Sequence, residues 1–215
     1  MPQPPAHPKI YHIVHVDRLP SIIADGCLWS DAVMAARQGP GTMIGMSTIK
    51  ARRLRLPVPC HQGTCVGDFV PFYFCTRSVM LFVIQRANAE ELTYRGGQGP
   101  IVHLEADLQR TIGWAAEARR HWAFSLSNAG AFYTQFRSDL DHLEEVNWPA
   151  VRSTDFRSAD VKEGKQAEFL VHESFPWSLV ERIGVLSQGV AQQVANAMRG
   201  KQHNPRVEIR REWYY

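Results

Sequence analysis

One carboxylate stands inside an otherwise apolar run, KQAEFLV at residues 165–171. Side chains alternate along a strand, so Ala167, Phe169 and Val171 share one predicted face, and Gln166, Glu168 and Leu170 the other. Gln166 and Glu168 then present an amide and a carboxylate one rung apart. That pair suits a reaction passing through a sugar cation, because a carboxylate stabilises the developing charge and accepts a hydrogen bond from a ribose hydroxyl. Two other groups fit such chemistry. His12 lies in the alternating run YHIVHV, 11–16, and Arg53 belongs to a basic cluster with Lys50, Arg52 and Arg55. An arginine can hold a pyrophosphate or neutralise charge on an acceptor. Taken singly, each has a plainer reading: Glu168 at a solvated sheet rim, His12 in the core, Arg53 on a solvated helix face.

Other templates fail. There is no GxxxxGK[ST] phosphate loop, no GxSxG elbow, no HExxH pair and no GxGxxG after a strand. Cys27, Cys60, Cys65 and Cys75 include no CxxC pair, and Cys60-His61 with Cys65 lacks a second ligand pair, so no metal site is expected. Cysteine usage this sparse points to a reducing cytoplasm. The 215 residues are 45% hydrophobic and 21% charged, an ordinary globular composition with room for one sizeable core. A net charge of +3 dictates no partner by itself, though Arg119 with Arg120, and Arg206 with Arg210 and Arg211, add basic patches that could meet phosphates. No apolar run reaches the roughly 18–20 residues needed to span a bilayer, so no membrane association is expected. The opening MPQPPAHPKI lacks an apolar h-region and reads as a disordered arm over 1–9 rather than a signal peptide.

The elements that must position these groups follow from the same patterns. Strands are predicted at 11–16, 80–84 (MLFVI), 101–106, 122–126, the QAEFLV run, 182–187 and 206–210. Asp17 is expected to cap a short helix that Gly26 ends, and Ser47 one that carries Ile49, Arg52 and Arg53. Further helical patterns cover 107–120, 129–146 and 189–199. Residues 37–46 and 57–68 read as loops, the first of them mobile, and 151–165 as a polar irregular segment. In FVPFYF, 69–74, Pro71 argues against a central strand, and Tyr73 is the member expected to reach a cleft. Together this is one α+β domain over 10–215.

The stretches YHIVHVDRLPSIIADGCL, RRLRLPVP, DFVPFYFCTRSVML, GGQGPIVHL, KQAEFLV and the terminal EWYY occur in the order found in the DarT family, which the chain resembles from about residue 10 to Tyr215. These are bacterial DNA ADP-ribosyltransferase toxins of toxin–antitoxin and phage-defence systems. The resemblance implies an ADP-ribosyltransferase-like split mixed β-sheet with flanking helices, and NAD as co-substrate. It implies transfer of ADP-ribose to a base in single-stranded DNA, thymine ahead of guanine. It also implies a macrodomain antitoxin as partner. Acceptors in RNA or protein, and a non-catalytic nucleic-acid-binding module on the same fold, are the alternatives.

Roles follow by resemblance. Glu168 matches the family's catalytic glutamate and Arg53 its catalytic, NAD-contacting arginine. His12, Ile13 and Val14 match the nicotinamide-binding strand, and Ser21 and Trp29 fall where NAD contacts are expected. The loop and helix of about 37–53 match the element that closes over NAD. Residues from about 121 to Glu168 match the substrate-reading loop, with Asn128 and Gln166 its candidate readers. One departure stands out. The thymine-modifying branch tends to carry Phe-Thr-Asp-x-His where this chain has Phe124-Ser125-Leu126-Ser127-Asn128. Asn128 replaces a titratable histidine by an amide that both donates and accepts.

Overall fold

The computed structural model describes residues 3–37, 40–87 and 89–215. Ten strands and eight helices follow one another as β1 (Lys9–His15), α1 (Leu19–Asp25), β2 (Cys27–Trp29), α2 (Asp31–Arg37), α3 (Ser47–Arg53), β3 (Phe69–Tyr73), α4 (Val79–Arg86), β4 (Ile101–Asp107), α5 (Leu108–Glu117), β5 (Trp122–Asn128), β6 (Phe136–Arg137), α6 (Trp148–Arg152), α7 (Ala159–Lys165), β7 (Ala167–His172), β8 (Ser174–Pro176), β9 (Val180–Val185), α8 (Gln188–Met198) and β10 (Arg206–Ile209). Eight of the strands form one mixed sheet in the order β10-β9-β4-β1-β3-β7-β5-β6, and β2 pairs with β8 apart from it. Among the described residues only β9 and β10 run parallel. The fold is α+β, as the sequence predicts.

The sheet is split at its middle. β1 pairs with β4 along its whole length, from Lys9↔Asp107 to His15↔Ile101, yet meets β3 only at Tyr11↔Tyr73. On the other side of the split, β3 pairs with β7 from Phe69↔His172 to Tyr73↔Glu168. The predicted alternation in β7 holds. Ala167, Phe169 and Val171 enter the main core with α1, α6 and α8, while Leu170 packs on the opposite face with Leu56, Val58, Val66 and Phe69. Helix α1 stops at Gly26, whose φ of 70° is the left-handed conformation that glycine adopts without a Cβ penalty.

Several expectations are corrected. Pro71 does lie in a central strand. A strand residue points its N and its C=O the same way, and the Pro71 carbonyl faces the His12 ring across the split. The missing N–H therefore removes no ladder bond, because β1 has already parted from β3 there. MLFVI is not a strand but the body of α4, where Leu81 and Ile84 turn to one core and Ser78 Oγ caps the Leu81 N–H at 3.2 Å. The helix expected over 129–146 is instead a loop, the short β6 and a 3-10 turn at Leu140–Glu145. Its apolar residues serve two separate cores, Ala129 and Phe136 one and Leu143 and Val146 the other, so they cannot form one helix stripe. The segment 151–165 contains the end of α6 and the whole of α7. Gly164 lets these helices close up, since a Cβ there would stand 2.9 Å from that of Ala150. Asp17 does not cap α1, whose N-cap is Arg18, and Ser47 opens α3 with no side-chain cap. Of the arm expected over 1–9, residues 1 and 2 lie outside the described ones; strand β1 begins at Lys9, and Pro8 is buried with its carbonyl accepting the Leu108 N–H. Of the loop expected at 37–46, residues 38 and 39 lie outside the described ones.

Candidate active site

Glu168 does not sit at a solvated rim. It is 4% exposed, and the Arg53 guanidinium grips it with two parallel bonds, Nη1 to Oε1 at 3.0 Å and Nη2 to Oε2 at 2.9 Å. Arg53 is the one buried residue of α3, so this short helix is anchored through the arginine rather than through an apolar stripe. Burial opposes the arginine's charge, but the carboxylate outweighs it and the guanidinium pKa is raised. Arg53 is therefore a fixed cation and no proton acceptor. A bidentate arginine uses two of the roughly four lone-pair positions of a carboxylate, which leaves Glu168 capacity for a further donor.

Cross-strand register sets the surroundings. Tyr11, Tyr73 and Glu168 lie opposite one another across β1, β3 and β7 and so share a face. Burial, then the nearby carboxylate, push the Tyr73 phenol pKa up, so it stays protonated. His12 turns into the split, where its Nδ1–H donates to the Pro71 carbonyl at 2.8 Å and its ring lies 5.6 Å from Phe72. Burial pushes its imidazole down to about 4, so the ring is neutral and Nε2 is an acceptor. Ile13 joins the Tyr11 and Tyr73 cluster. The Val14 side chain is held in the main core, which leaves only its backbone for any ligand.

The base-reading candidates meet at the same end of β7. Asn128 Nδ2 reaches Gln166 Oε1 at 3.4 Å, and Asn128 Oδ1 accepts the Gly130 N–H at 2.8 Å. The chain at Gly130 lies against Arg52 and Ile49 of α3. Gln166 is not in the strand but caps α7, its Nε2 donating to the Lys162 carbonyl at 3.1 Å. Ser21 and Trp29 are not brought to the pair. Ser21 Oγ donates to the Arg18 carbonyl at 2.9 Å, while the Trp29 indole donates to Asp25 at 2.8 Å with the Arg37 guanidinium 4.9 Å over its ring.

Three contributors escape a reading of the sequence. Asp31 at the start of α2 holds Lys50 of α3 at 2.5 Å and adds negative charge near Arg53, His12 and Tyr73. Lys165 is 2% exposed and donates to the carbonyls of Val151 and Ser153 at 3.0 and 2.9 Å, tying α7 to α6 just before β7. Ser125 on β5 accepts the Glu168 backbone N–H at 3.0 Å. Only Ser125 leaves a trace in sequence, as a hydroxyl alternating with Phe124 and Leu126 in a strand. Among the described residues no group of His, Cys, Asp and Glu could hold a metal ion, and no helix is long and apolar enough to cross a membrane.

A mixed sheet that parts beside a buried arginine–glutamate pair, with a neutral histidine in the gap, defines the class: an ADP-ribosyltransferase fold. Known proteins narrow it. The family model described as ssDNA thymidine ADP-ribosyltransferase, DarT, matches residues 11–215. A DNA ADP-ribosyl transferase of Thermus aquaticus is 38% identical over 98% of this chain and 90% of its own length. Another, from Thermus sp. (strain 2.9), is 36% identical over 98% of both. The solved structure of Thermus sp. 2.9 DarT in complex with ADP-ribosylated ssDNA matches with a TM-score of 0.89 at 34% identity, covering 100% of this chain and 99% of that one. The same protein in complex with NAD+ gives 0.85 at 33% identity, covering 99% and 100%. The chain belongs to the DarT family.

Proposed function

We propose that this protein transfers ADP-ribose from NAD to thymine in single-stranded DNA and releases nicotinamide, as the toxin of a toxin–antitoxin pair. The observation that carries the reading is the buried, bidentate Arg53–Glu168 pair at the split of the sheet. Past Tyr11, β1 turns an edge toward the split that β3 does not pair, and backbone groups on such an edge suit a carboxamide that both donates and accepts. His12, Ile13 and Val14 supply that edge, and Ser21, Trp29 and the loop running into α3 border the NAD side.

Glu168, oriented by the two Arg53 bonds, accepts from the ribose 2′-hydroxyl and stabilises the cation that forms as the bond from C1′ to nicotinamide breaks. The electron pair leaves with nicotinamide. A ring nitrogen of the base bonds to C1′ and gives up its proton to solvent water. Arg53 keeps its charge throughout and faces the phosphates and the acceptor. Asn128 and Gln166 meet the base edge, since thymine presents a ring N–H beside carbonyls and a primary amide matches both. Exposed Phe132 and Tyr133, on the loop whose Gly130 lies against Arg52, offer a stacking and phosphate-binding surface for the flanking strand. We also assign residues 10–215 to one catalytic domain, the cytoplasm as its site of action, and a macrodomain that removes ADP-ribose as its antitoxin.

Mass spectrometry of short oligonucleotides after incubation with NAD tests this directly. Single strands containing thymine should gain one ADP-ribose each, and duplexes far less, because the reacting nitrogen must be unstacked. Binding should weaken with salt at a slope of about −0.7 per phosphate contacted. Modification confined to guanine, to RNA or to protein would overturn the assigned acceptor. The antitoxin assignment fails if a co-expressed macrodomain leaves both the toxicity and the DNA adduct unchanged.

A further inference from the structure

Strands β5 and β7 pair at Trp122↔Val171, Ala123↔Leu170 and Phe124↔Phe169, and next at Asn128↔Ala167. Ser125, Leu126 and Ser127 thus all oppose the single residue Glu168. A bulge of this kind removes the carbonyl that would have received the Glu168 N–H. The Ser125 hydroxyl stands in its place. Its Oγ accepts that N–H at 3.0 Å and donates to the Ser127 carbonyl at 2.7 Å, and the side chain is wholly buried. The outer side of the bulge is held by the Leu126 N–H on the Gln135 carbonyl at 3.0 Å and by Thr134 Oγ1, which donates to the Asn128 carbonyl at 2.8 Å and contacts Ser127 Oγ.

We propose that Ser125 is a positioning residue for both halves of the reaction. Through the Glu168 backbone it sets where the carboxylate meets Arg53, and through the Ser127 carbonyl it keeps the bulge that delivers Asn128 beside Gln166. The proposal rests on the reading of Glu168 and Asn128 given above. Without the hydroxyl, a buried N–H lacks a partner, and the strand regains one by drawing the bulge in, which moves Asn128 along the site. Loss of Ser125 therefore alters rate and base choice together and leaves NAD binding alone, a combination that simple destabilisation does not produce.

The test compares Ser125→Ala and Ser125→Thr with wild type and Glu168→Gln, at a temperature where melting curves show every variant folded. It measures transfer to single strands carrying one thymine or one guanine, and NAD hydrolysis without DNA. Ser125→Ala should lower kcat for both reactions by about 10–100-fold, keep KM for NAD within about twofold and narrow the preference between the two bases. Ser125→Thr, which retains the hydroxyl, should recover most of the rate and the preference. Unchanged kcat and base preference in Ser125→Ala overturns the proposal. So does a folded Ser125→Thr that behaves like Ser125→Ala, or a deficit that disappears wherever the Ala variant is fully folded. Wild type that hydrolyses NAD but modifies no DNA refutes the assigned acceptor instead, and hydrolysis by the two variants still decides the effect on Glu168.

Discussion

Arg53 and Glu168 are two charges taken almost wholly out of water, with side chains 8% and 6% exposed. Neither would stay there alone. Removing one partner of such a pair leaves the other buried and uncompensated, which costs about 3–5 kcal/mol, whereas replacing both by apolar groups is often close to neutral. Glu168→Ala should therefore lower stability by that amount as well as abolish transfer. The double variant Arg53→Leu/Glu168→Leu should regain most of the stability and none of the activity. Urea denaturation of the single and double variants, with an oligonucleotide assay on each, checks this. A Glu168→Ala protein as stable as wild type would mean that the pair does not persist in solution.

Among the elements, α3 and the loop before it depend most on polar ties. The loop is fastened to the turn after β1 by Asp17, which accepts from the Thr42 N–H at 3.1 and 3.2 Å and from its hydroxyl at 2.6 Å. These bonds hold the Asp17 carboxyl below its usual range despite the opposing effect of partial burial. If the loop closes over NAD, Asp17→Ala should raise KM for NAD by about tenfold, the size of one such bond, and leave the affinity for DNA unchanged. Steady-state kinetics with either substrate varied decides it. An equal rise in both constants would place the loop elsewhere. The loop after β5 should show the reverse pattern. Phe132 is 81% exposed, and Phe132→Ala should cost about 1–3 kcal/mol in single-strand binding, read by fluorescence titration, with KM for NAD unaltered.

At the level of the whole molecule, buried neutral histidines set the response to acid. Burial pushes His12 and His103 each down to about 4. His172, edge-on to His121 at 5.7 Å, is also held low, by burial first and then by His121 and the Arg120 guanidinium nearby. A histidine whose folded pKa lies below its unfolded value of about 6.5 binds its proton more readily when unfolded. Its contribution is complete above about 6.5 and is lost as the pH falls toward 4. His12 and His103 should each cost about 3 kcal/mol over that window, a large part of the 5–15 kcal/mol typical of a domain. Unfolding free energies at pH 7.5, 6, 5 and 4 should fall steeply below 6.5. A flat profile down to pH 4.5 would mean that both rings reach water.

What could be read from the chain alone was what local alternation encodes. YHIVHV and QAEFLV announce strands because side chains alternate, and one carboxylate in an apolar run marks Glu168 without any knowledge of its neighbours. Gly26 ends α1 for a reason contained in its own φ. MLFVI was misread as a strand, since five apolar residues in a row carry neither period, and only the packing of Leu81 and Ile84 makes it a helix. Pro71 was misjudged because its place in the sheet depends on β1 parting from β3, an event between distant segments. The pairing of Arg53 with Glu168, separated by 115 residues, and the seating of the Glu168 N–H on Ser125 are likewise decided by the register of β3, β7 and β5. The residue types that do the chemistry are thus local information, whereas which oxygen faces which nitrogen follows from long-range strand pairing, and only the folded molecule contains it.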